Sequence, residues 1–290
     1  MLGIITITYN SHGVMADFLT SLLAQTYQDW QLYLYDNNSP SRQQLEPLLA
    51  DFPSSKLNYL ALADNYGFAV ANNLAIRQAF ADGCDAVVII NNDTIFAPDL
   101  LTKLVAEAKQ YNALIVAPKM LYYPDDNLVW YAGGYFDSCQ ALKNIHIGIG
   151  EIDDKRFDIP SWQDFAPMCC LLVDRQVFEQ IGYLDENYFI YYEDADWAYR
   201  AKLAGIAIWY APNARLYHKV SSLTGGAKSD FTIYHATRSK VYFIYKFYSG
   251  WRRYYWLSIY LCGFIIGLIS RRYSCREVAI KLRGFFSRIV

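Results

Sequence analysis

The chain has 290 residues, 54% of them apolar or aromatic, and a formal net charge of −2. That length and composition suffice for one full α/β body with an appendage and a sizeable buried core. The charge is segregated: residues 1–227 carry 14 Lys and Arg against 26 Asp and Glu, whereas residues 228–290 carry 12 against 2, so the basic end points to an anionic surface as its partner.

The first ten residues, MLGIITITYN, lack a basic n-region and their apolar run is too short for a signal peptide, so the chain is expected in the cytoplasm. From residue 2 to about 117, β-rich runs (LGIITIT, QLYLYD, LNYLAL, AVVIIN, ALIVA) alternate with segments of helical spacing, such as Val14, Phe18 and Leu22, or Leu74, Ala75, Gln78 and Ala79. Strands separated by helices predict right-handed crossovers and a doubly wound, mostly parallel, Rossmann-like sheet. Ligands of such sheets bind at the carboxyl ends of the strands. The first polar residues after each run are Thr8 and Asn10, Asp36 and Asn37, Asp64, Asn65 and Gly67, and Asn91, Asn92 and Asp93. Any one of these is ordinary turn chemistry, but four strands in succession deliver amides and carboxylates to one rim.

The turn after the first strand, TYNSHG, has a single glycine and no GxGxxG nest for a pyrophosphate. A nucleotide diphosphate bound here would need another source of positive charge, and a divalent cation (Mg²⁺ or Mn²⁺) on Asp93 would supply it. The apolar strand AVVIIN then serves as the rigid mount of a polar tip.

Residues 118–165 are rich in Tyr, Gly and Asp and show little periodicity; an acceptor-side insertion is the expectation. Pattern returns with CCLLVDRQVFEQIGYLDE and YFIYYEDADWAYRAKLAGIAIWYAP. The second places Glu193, Asp194 and Asp196 at the start of a helix behind an aromatic run. Asp194 is either a helix N-cap or, through crowded like charges and partial desolvation, a carboxylate raised toward general-base use. Asp196 and Arg200, four apart, suit a structural helix pair. His218 follows a further β-rich segment; it is either a structural histidine or the completion of a metal site begun by Asp93. The six cysteines have no metal or CxxC spacing and are read as buried, reduced thiols.

Between Arg253 and Arg271 lie 17 uncharged residues, a helix of about 26 Å against a hydrocarbon core of roughly 30 Å. Monotopic membrane binding is favoured over a span, and Gly263 and Gly267 form a GxxxG that is a weak dimer signal. The last segment sets Val278, Leu282, Phe285, Phe286 and Ile289 on one face, with Arg276, Lys281, Arg283 and Arg288 off it, the pattern of an interfacial helix on anionic lipid. The alternative is packing on the α/β body or on a second copy of the chain. The long apolar core of this tail disfavours nucleic acid as its partner.

TYNS, YDNNS, DNYGFAVANN, NNDT and YFIYYEDADWAYR before YHK, in this order, resemble the family 2 inverting glycosyltransferases of GT-A fold, in their bacterial rhamnosyltransferase-like branch of cell-surface polysaccharide synthesis. The resemblance spans roughly residues 2–245. It implies a catalytic domain over 1–227, with a nucleotide-sugar half to about 117 and an acceptor half over 118–227, and a basic, membrane-associating helical appendage over 228–290. Thr8, Asn10 and Asp36 would hold the nucleoside; Asn65, Gly67, Asn72, Asn91 and Asn92 would line the nucleotide-sugar pocket. Asp93 would be the last residue of a DxD-type metal motif, with His218 on the metal or diphosphate. Asp194 would be the general base beside Glu193, supported by Asp196 and Arg200. The implied reaction moves a hexose or deoxyhexose from a dTDP- or UDP-sugar to a hydroxyl of a lipid-linked glycan, on the inner face of the cell membrane. Asn91, Met168, Trp197 and Ser239 depart from the common pattern, which bears on acceptor identity more than on the reaction. A non-catalytic scaffold that keeps the nucleotide-sugar fold is the rival reading, and retention of both Asp93 and Asp194 weighs against it.

Overall fold

The computed structural model describes residues 1–125, 127–219 and 229–287. The first apolar runs form β1 (Leu2–Thr8), β2 (Trp30–Asp36), β3 (Leu57–Ala61) and β4 (Ala86–Ile90), joined through α1 (His12–Leu23), α2 (Glu46–Ala50) and α3 (Gly67–Ala81). There follow β5 (Thr94–Phe96), α4 (Leu100–Tyr111), β6 (Ile115–Tyr122), β7 (Val129–Tyr131), β8 (Gly134–Asp137), β9 (Lys143–His146), β10 (Ser161–Gln163) and β11 (Cys170–Asp174). The chain continues through α5 (Arg175–Ile181), α6 (Glu193–Leu203) and β12 (Ile208–His218), and then the helices α7 (Asp230–Phe247), α8 (Gly250–Ile269) and α9 (Cys275–Phe285).

One large sheet runs in the order β10-β12-β6-β11-β4-β1-β2-β3. Strands β3, β2, β1 and β4 are parallel, as alternating strands and helices require. The expected mostly parallel sheet is corrected beyond them: β11 inserts antiparallel between β4 and β6, so the sheet is mixed. Because β11 opposes both neighbours, and β12 is parallel to β6, the carboxyl ends of β6 and β12 return to the same rim as those of β1 to β4. Residues 118–165 are also more regular than expected, since β6 extends to Tyr122 and β7 to β10 follow, with β8 and β9 forming a separate hairpin.

Helix α3 packs along β1, β2 and β4, and its buried face runs through Ala71, Asn72, Ala75, Ile76 and Ala79, not through Leu74 and Gln78, which are exposed. Small side chains let this helix approach the sheet closely, which overrides the larger apolar stripe. Only three cysteines, Cys84, Cys169 and Cys170, are buried; Cys139, Cys262 and Cys275 are exposed, and all six are free thiols.

The basic tail packs on α7, with contacts between α7, α8 and α9. Among the described residues no helix is long and apolar enough to cross a membrane. The ring of Tyr273 fills the space beside Gly267, whereas the space at Gly263 is open, so only the second glycine of the GxxxG is packed within the chain. The expected apolar face of the last helix is divided: Phe285 turns in toward Tyr260 and Phe264, while Leu282 and Phe286 stay exposed, and Arg288 and Ile289 lie outside the described residues.

Candidate active site

Thr8 and Asp36 are cross-strand partners at the ends of β1 and β2, and the amide of Asn37 donates to Thr8 O at 2.8 Å. Asp36 is fully buried; its carboxylate accepts from the Ser39 amide at 3.1 Å, from the Ser39 hydroxyl, and from Arg42 Nε at 2.8 Å. Asn10 stands at φ +52°, and its Oδ1 accepts from the amide (3.2 Å) and hydroxyl (2.7 Å) of Ser41. These side chains and Arg42 line one small, tightly filled cleft. Arg42 has no motif to announce it; its place is set by the carboxylate six residues earlier.

Asn37 is the hub of the next turn. Its Nδ2 donates to Asn65 Oδ1 (2.8 Å) and Gly67 O (3.1 Å), and its Oδ1 accepts from the Tyr66 amide at 2.9 Å. Asn65 Oδ1 accepts in turn from the Gly67 amide at 3.1 Å. Gly67 sits at φ +80° against the carbonyl of Phe189, where a side chain would collide. Asn72 is buried and bonded to Phe68 O within α3. Asn92 is buried with Nδ2 on Ile7 O at 2.9 Å, tying β4 to β1, and Asn91 is held by its backbone to Cys169 O. Asn72 and Asn92 thus brace the rim through their side chains, and Asn91 through its backbone amide.

Asp93 and His218 come from distant parts of the chain. Strand β5, directly after Asp93, pairs antiparallel with the end of β12, so Thr94 faces His218 and the Lys219 amide donates to Asp93 O at 2.8 Å. His218 Nε2 lies 3.2 Å from Asp93 Oδ1, and each side chain is 8% exposed. Trp130 stands edge-on to the imidazole at 4.5 Å. Among the described residues no group of three His, Cys, Asp or Glu gathers. A carboxylate and an imidazole side by side nevertheless suit a divalent cation that completes its shell with phosphate oxygens and water, Mn²⁺ more readily than Mg²⁺.

The acidic cluster opens α6. Tyr191 and Tyr192, immediately before it, both adopt positive φ (+67° and +70°), a costly backbone for aromatic residues that the surroundings must impose. Tyr191 OH is hydrogen-bonded to Thr232 Oγ1 at 3.1 Å, and Ser239 Oγ donates to Ile190 O at 3.0 Å, so α7 holds the turn. Glu193 is buried, and burial first, then the charge of Asp194, pushes its carboxyl well up. Burial likewise raises the half-buried Asp194, opposed by a hydrogen bond from the Ala195 amide. Asp194 is therefore not an N-cap: it lies inside the helix, whose cap is Tyr192 without a side-chain bond.

Asp196 is fully buried and carries three partners: Arg200 Nε at 2.8 Å, Lys246 Nζ at 2.7 Å and Tyr188 OH at 3.2 Å. Arg200 extends the clamp to the carbonyls of Ile181 and Tyr183. This network positions α6 against the turn before it and against α7, and Lys246 in it had no local signal.

A family model described as glycosyl transferase family 2 matches residues 3–182. The chain belongs to glycosyl transferase family 2. Among curated relatives, this glycosyltransferase is 24% identical over 221 residues to the dTDP-rhamnosyl transferase RfbF of Shigella flexneri, covering 74% of this chain and 68% of the relative. It is 26% identical over 279 residues to the N-acetylglucosaminyl-diphospho-decaprenol L-rhamnosyltransferase of Mycobacterium tuberculosis, covering 87% of each. In fold it is similar to GalNAc-T7 with UDP, GalNAc and Mn²⁺ (TM-score 0.64, 15% identity, 82% of this chain and 47% of that one). It is also similar in fold to the mannosyltransferase PcManGT of Pyrobaculum calidifontis with GDP-Man and Mn²⁺ (TM-score 0.59, 14% identity, 98% and 79%).

The family match ends at Gly182, so Glu193, Asp194 and His218 lie beyond it. In this glycosyltransferase the turn after β3 meets the segment before α6: Phe189 O accepts from the Phe68 amide at 2.7 Å. The turn after β3 is thereby fastened to the segment that leads into Asp194.

Proposed function

We propose that this glycosyltransferase moves a deoxyhexose, rhamnose before other hexoses, from a dTDP- or UDP-sugar to a hydroxyl of a lipid-linked glycan, inverting the configuration at C1, in cell-surface polysaccharide synthesis. The observation that supports the reading is the Phe189 to Phe68 bond, which fastens the segment leading into Asp194, a raised, half-buried carboxylate, to the turn after β3. The names of the Shigella flexneri and Mycobacterium tuberculosis relatives support dTDP-rhamnose and a polyprenyl diphosphate acceptor.

In this mechanism the strand ends at Thr8, Asn10 and Asp36 take the nucleoside, with Arg42 beside them. Asp93 and His218 would hold a divalent cation, which supplies positive charge to the leaving diphosphate. The acceptor oxygen forms a bond to C1 while the bond from C1 to the β-phosphate oxygen breaks, and its electron pair leaves with the nucleoside diphosphate. Asp194 takes the acceptor proton. Attack from the face opposite the leaving group inverts C1. The exposed Trp251, Tyr254, Ile265, Ile266 and Ile269 of α8, with arginine pairs at 252–253 and 271–272, suit docking on an anionic membrane where such an acceptor resides.

The test is thermal stabilisation of the full chain by dTDP, UDP and GDP, with and without Mn²⁺ or Mg²⁺, followed by turnover of the matching sugar nucleotides on a prenyl diphosphate-linked glycan. A native-state ligand raises apparent stability by linkage. A shift with dTDP or UDP that needs both the metal and Asp93, lost in Asp93→Ala, is expected. Folded protein that responds to no nucleotide would overturn the reading.

A further inference from the structure

Two lysines from separate elements stand against the rings of Tyr260 and Phe264 on α8, Lys240 on α7 and Lys281 on α9, and the charge of Lys143 on β9 acts on Lys240. Lys240 Nζ stands 4.5 Å from the Tyr260 ring centre; Lys281 Nζ stands 5.5 Å from that of Phe264 and 4.5 Å from that of Tyr273. Tyr260 and Phe264 are themselves 4.9 Å apart, so the two ammonium groups flank one aromatic pair. The placement is rigid, because α9 crosses α7 at the buried Gly284, where a Cβ would meet Tyr234 O at 2.7 Å.

Among the described residues no carboxylate stands at ion-pair distance from the cluster, although the charge of Glu277 acts on Lys281. Lys119, Lys202, Lys219 and Lys246 each rest on a carboxylate. Among the described residues Lys143, Lys240 and Lys281 form no ion pair, and the nearby Glu277 accepts from the Ser274 amide and hydroxyl in the capping box of α9. Burial first, and then Lys143 and Lys281, hold the Lys240 ammonium below its usual range; burial and Arg272 act the same way on Lys281, against Glu277. A protein that concentrates unpaired positive charge on an aromatic floor has built an anion seat and left the anion to come from outside.

Its position says which anion. Ser239, next to Lys240, holds the carbonyl of Ile190, four residues before Asp194. The Tyr192 ring, two residues before Asp194, packs 5.5 Å from that of Phe243, so the helix that carries Lys240 also packs against the turn before the base. We propose that Lys240 and Lys281, with Lys143 at the margin, bind the diphosphate of the acceptor lipid and so hold its terminal sugar at Asp194. The inference rests on the reading of a lipid-linked acceptor, but concerns a site separate from the nucleotide cleft.

The experiment titrates the full chain with farnesyl diphosphate, with divalent cations chelated, in wild type and in the double variant Lys240→Gln/Lys281→Gln. Inorganic pyrophosphate is the competitor, and vesicles of phosphatidylcholine with phosphatidylglycerol form a separate arm. Expected are farnesyl diphosphate binding that pyrophosphate displaces, an affinity weakened about ten-fold or more in the double variant, and unchanged stabilisation by dTDP or UDP with Mn²⁺. The unliganded double variant should melt no lower than wild type, because the substitutions remove repulsion. Equal farnesyl diphosphate affinity in both proteins overturns the proposal. So does loss of vesicle binding alone, which would assign the lysines to lipid headgroups, or a parallel loss of nucleotide binding. The nucleotide arm reads the donor site by itself, so failure there and failure here are distinguishable.

Discussion

The carbonyl oxygen of Phe189 occupies the space that a side chain at position 67 would need, and Gly67 meets it at φ +80°. One residue later the Phe68 amide donates to that same oxygen. Gly67→Ala therefore faces both a strained backbone and a collision with main chain that cannot swing aside. A loss of roughly 2–4 kcal/mol is expected in urea unfolding, with turnover falling as well because Phe189 lies on the path to Asp194. An unchanged unfolding midpoint would show that the two halves are not joined here.

Asp194→Asn keeps size and the Ala195 contact but cannot accept a proton. Turnover should fall by about 10²- to 10⁴-fold, the usual range for general-base assistance, while stabilisation by nucleoside diphosphate stays near wild type. Glu193→Gln should be far milder, since Glu193 is more deeply buried than Asp194. Equal losses in the two variants would move the proton-accepting role off Asp194.

The pH dependence follows from the same pair. Asp194 is raised to about 6 chiefly by burial, and Glu193 to about 8 by burial and by the charge on Asp194; Asp196 adds a smaller repulsion to Glu193. Activity should rise as pH passes through about 6, where Asp194 becomes a carboxylate. Glu193 is still protonated there, so Glu193→Gln should leave this limb in place. Stability moves the other way. Both folded-state values lie above the ordinary carboxyl range, so the folded chain binds these protons more tightly than the unfolded one. The contribution is complete below the ordinary range and is lost as pH rises toward 8. Melting temperatures of Glu193→Gln should accordingly gain on wild type between pH 6 and 8; no gain would remove burial as the cause of the shift.

Much of this was legible in the chain itself. Apolar runs ending in Thr8, Asp36 and Asn91 announced parallel strands and their ligand rim, because strand period and turn chemistry are local. Strand direction is not local: the antiparallel insertion of β11 depends on pairing with β4 and β6, and nothing in CLLVD encodes it. The helical spacing of Leu74, Ala75, Gln78 and Ala79 announced α3, but which face is buried was not legible, because Ala71, Ala75 and Ala79 outcompete larger side chains only when a sheet presses close. Asn37 was visible as a turn residue, but its role as hub needs Asn65 and Tyr66 in place. Arg42, Lys246 and the three clustered lysines carry charges whose partners, or lack of them, are set by tertiary packing alone.

Asp196 offers the sharpest test of how α6 is held. It is wholly buried, and its charge is balanced by Arg200 on its own helix and by Lys246 on α7. Asp196→Asn would preserve shape while leaving two cations, both mostly shielded from water, facing a neutral amide. Breaking a buried pair from one side costs about 3–5 kcal/mol, and that loss is expected in denaturant unfolding. Lys246→Met should cost less, because Arg200 still balances Asp196, although Asp185 also loses its cation. The double variant Asp196→Asn/Lys246→Met should be less destabilised than the sum of the two, since the second substitution removes a charge that the first had stranded. Strict additivity would mean that Lys246 serves Asp185 alone, and that α7 is not tied electrostatically to the helix that carries Asp194.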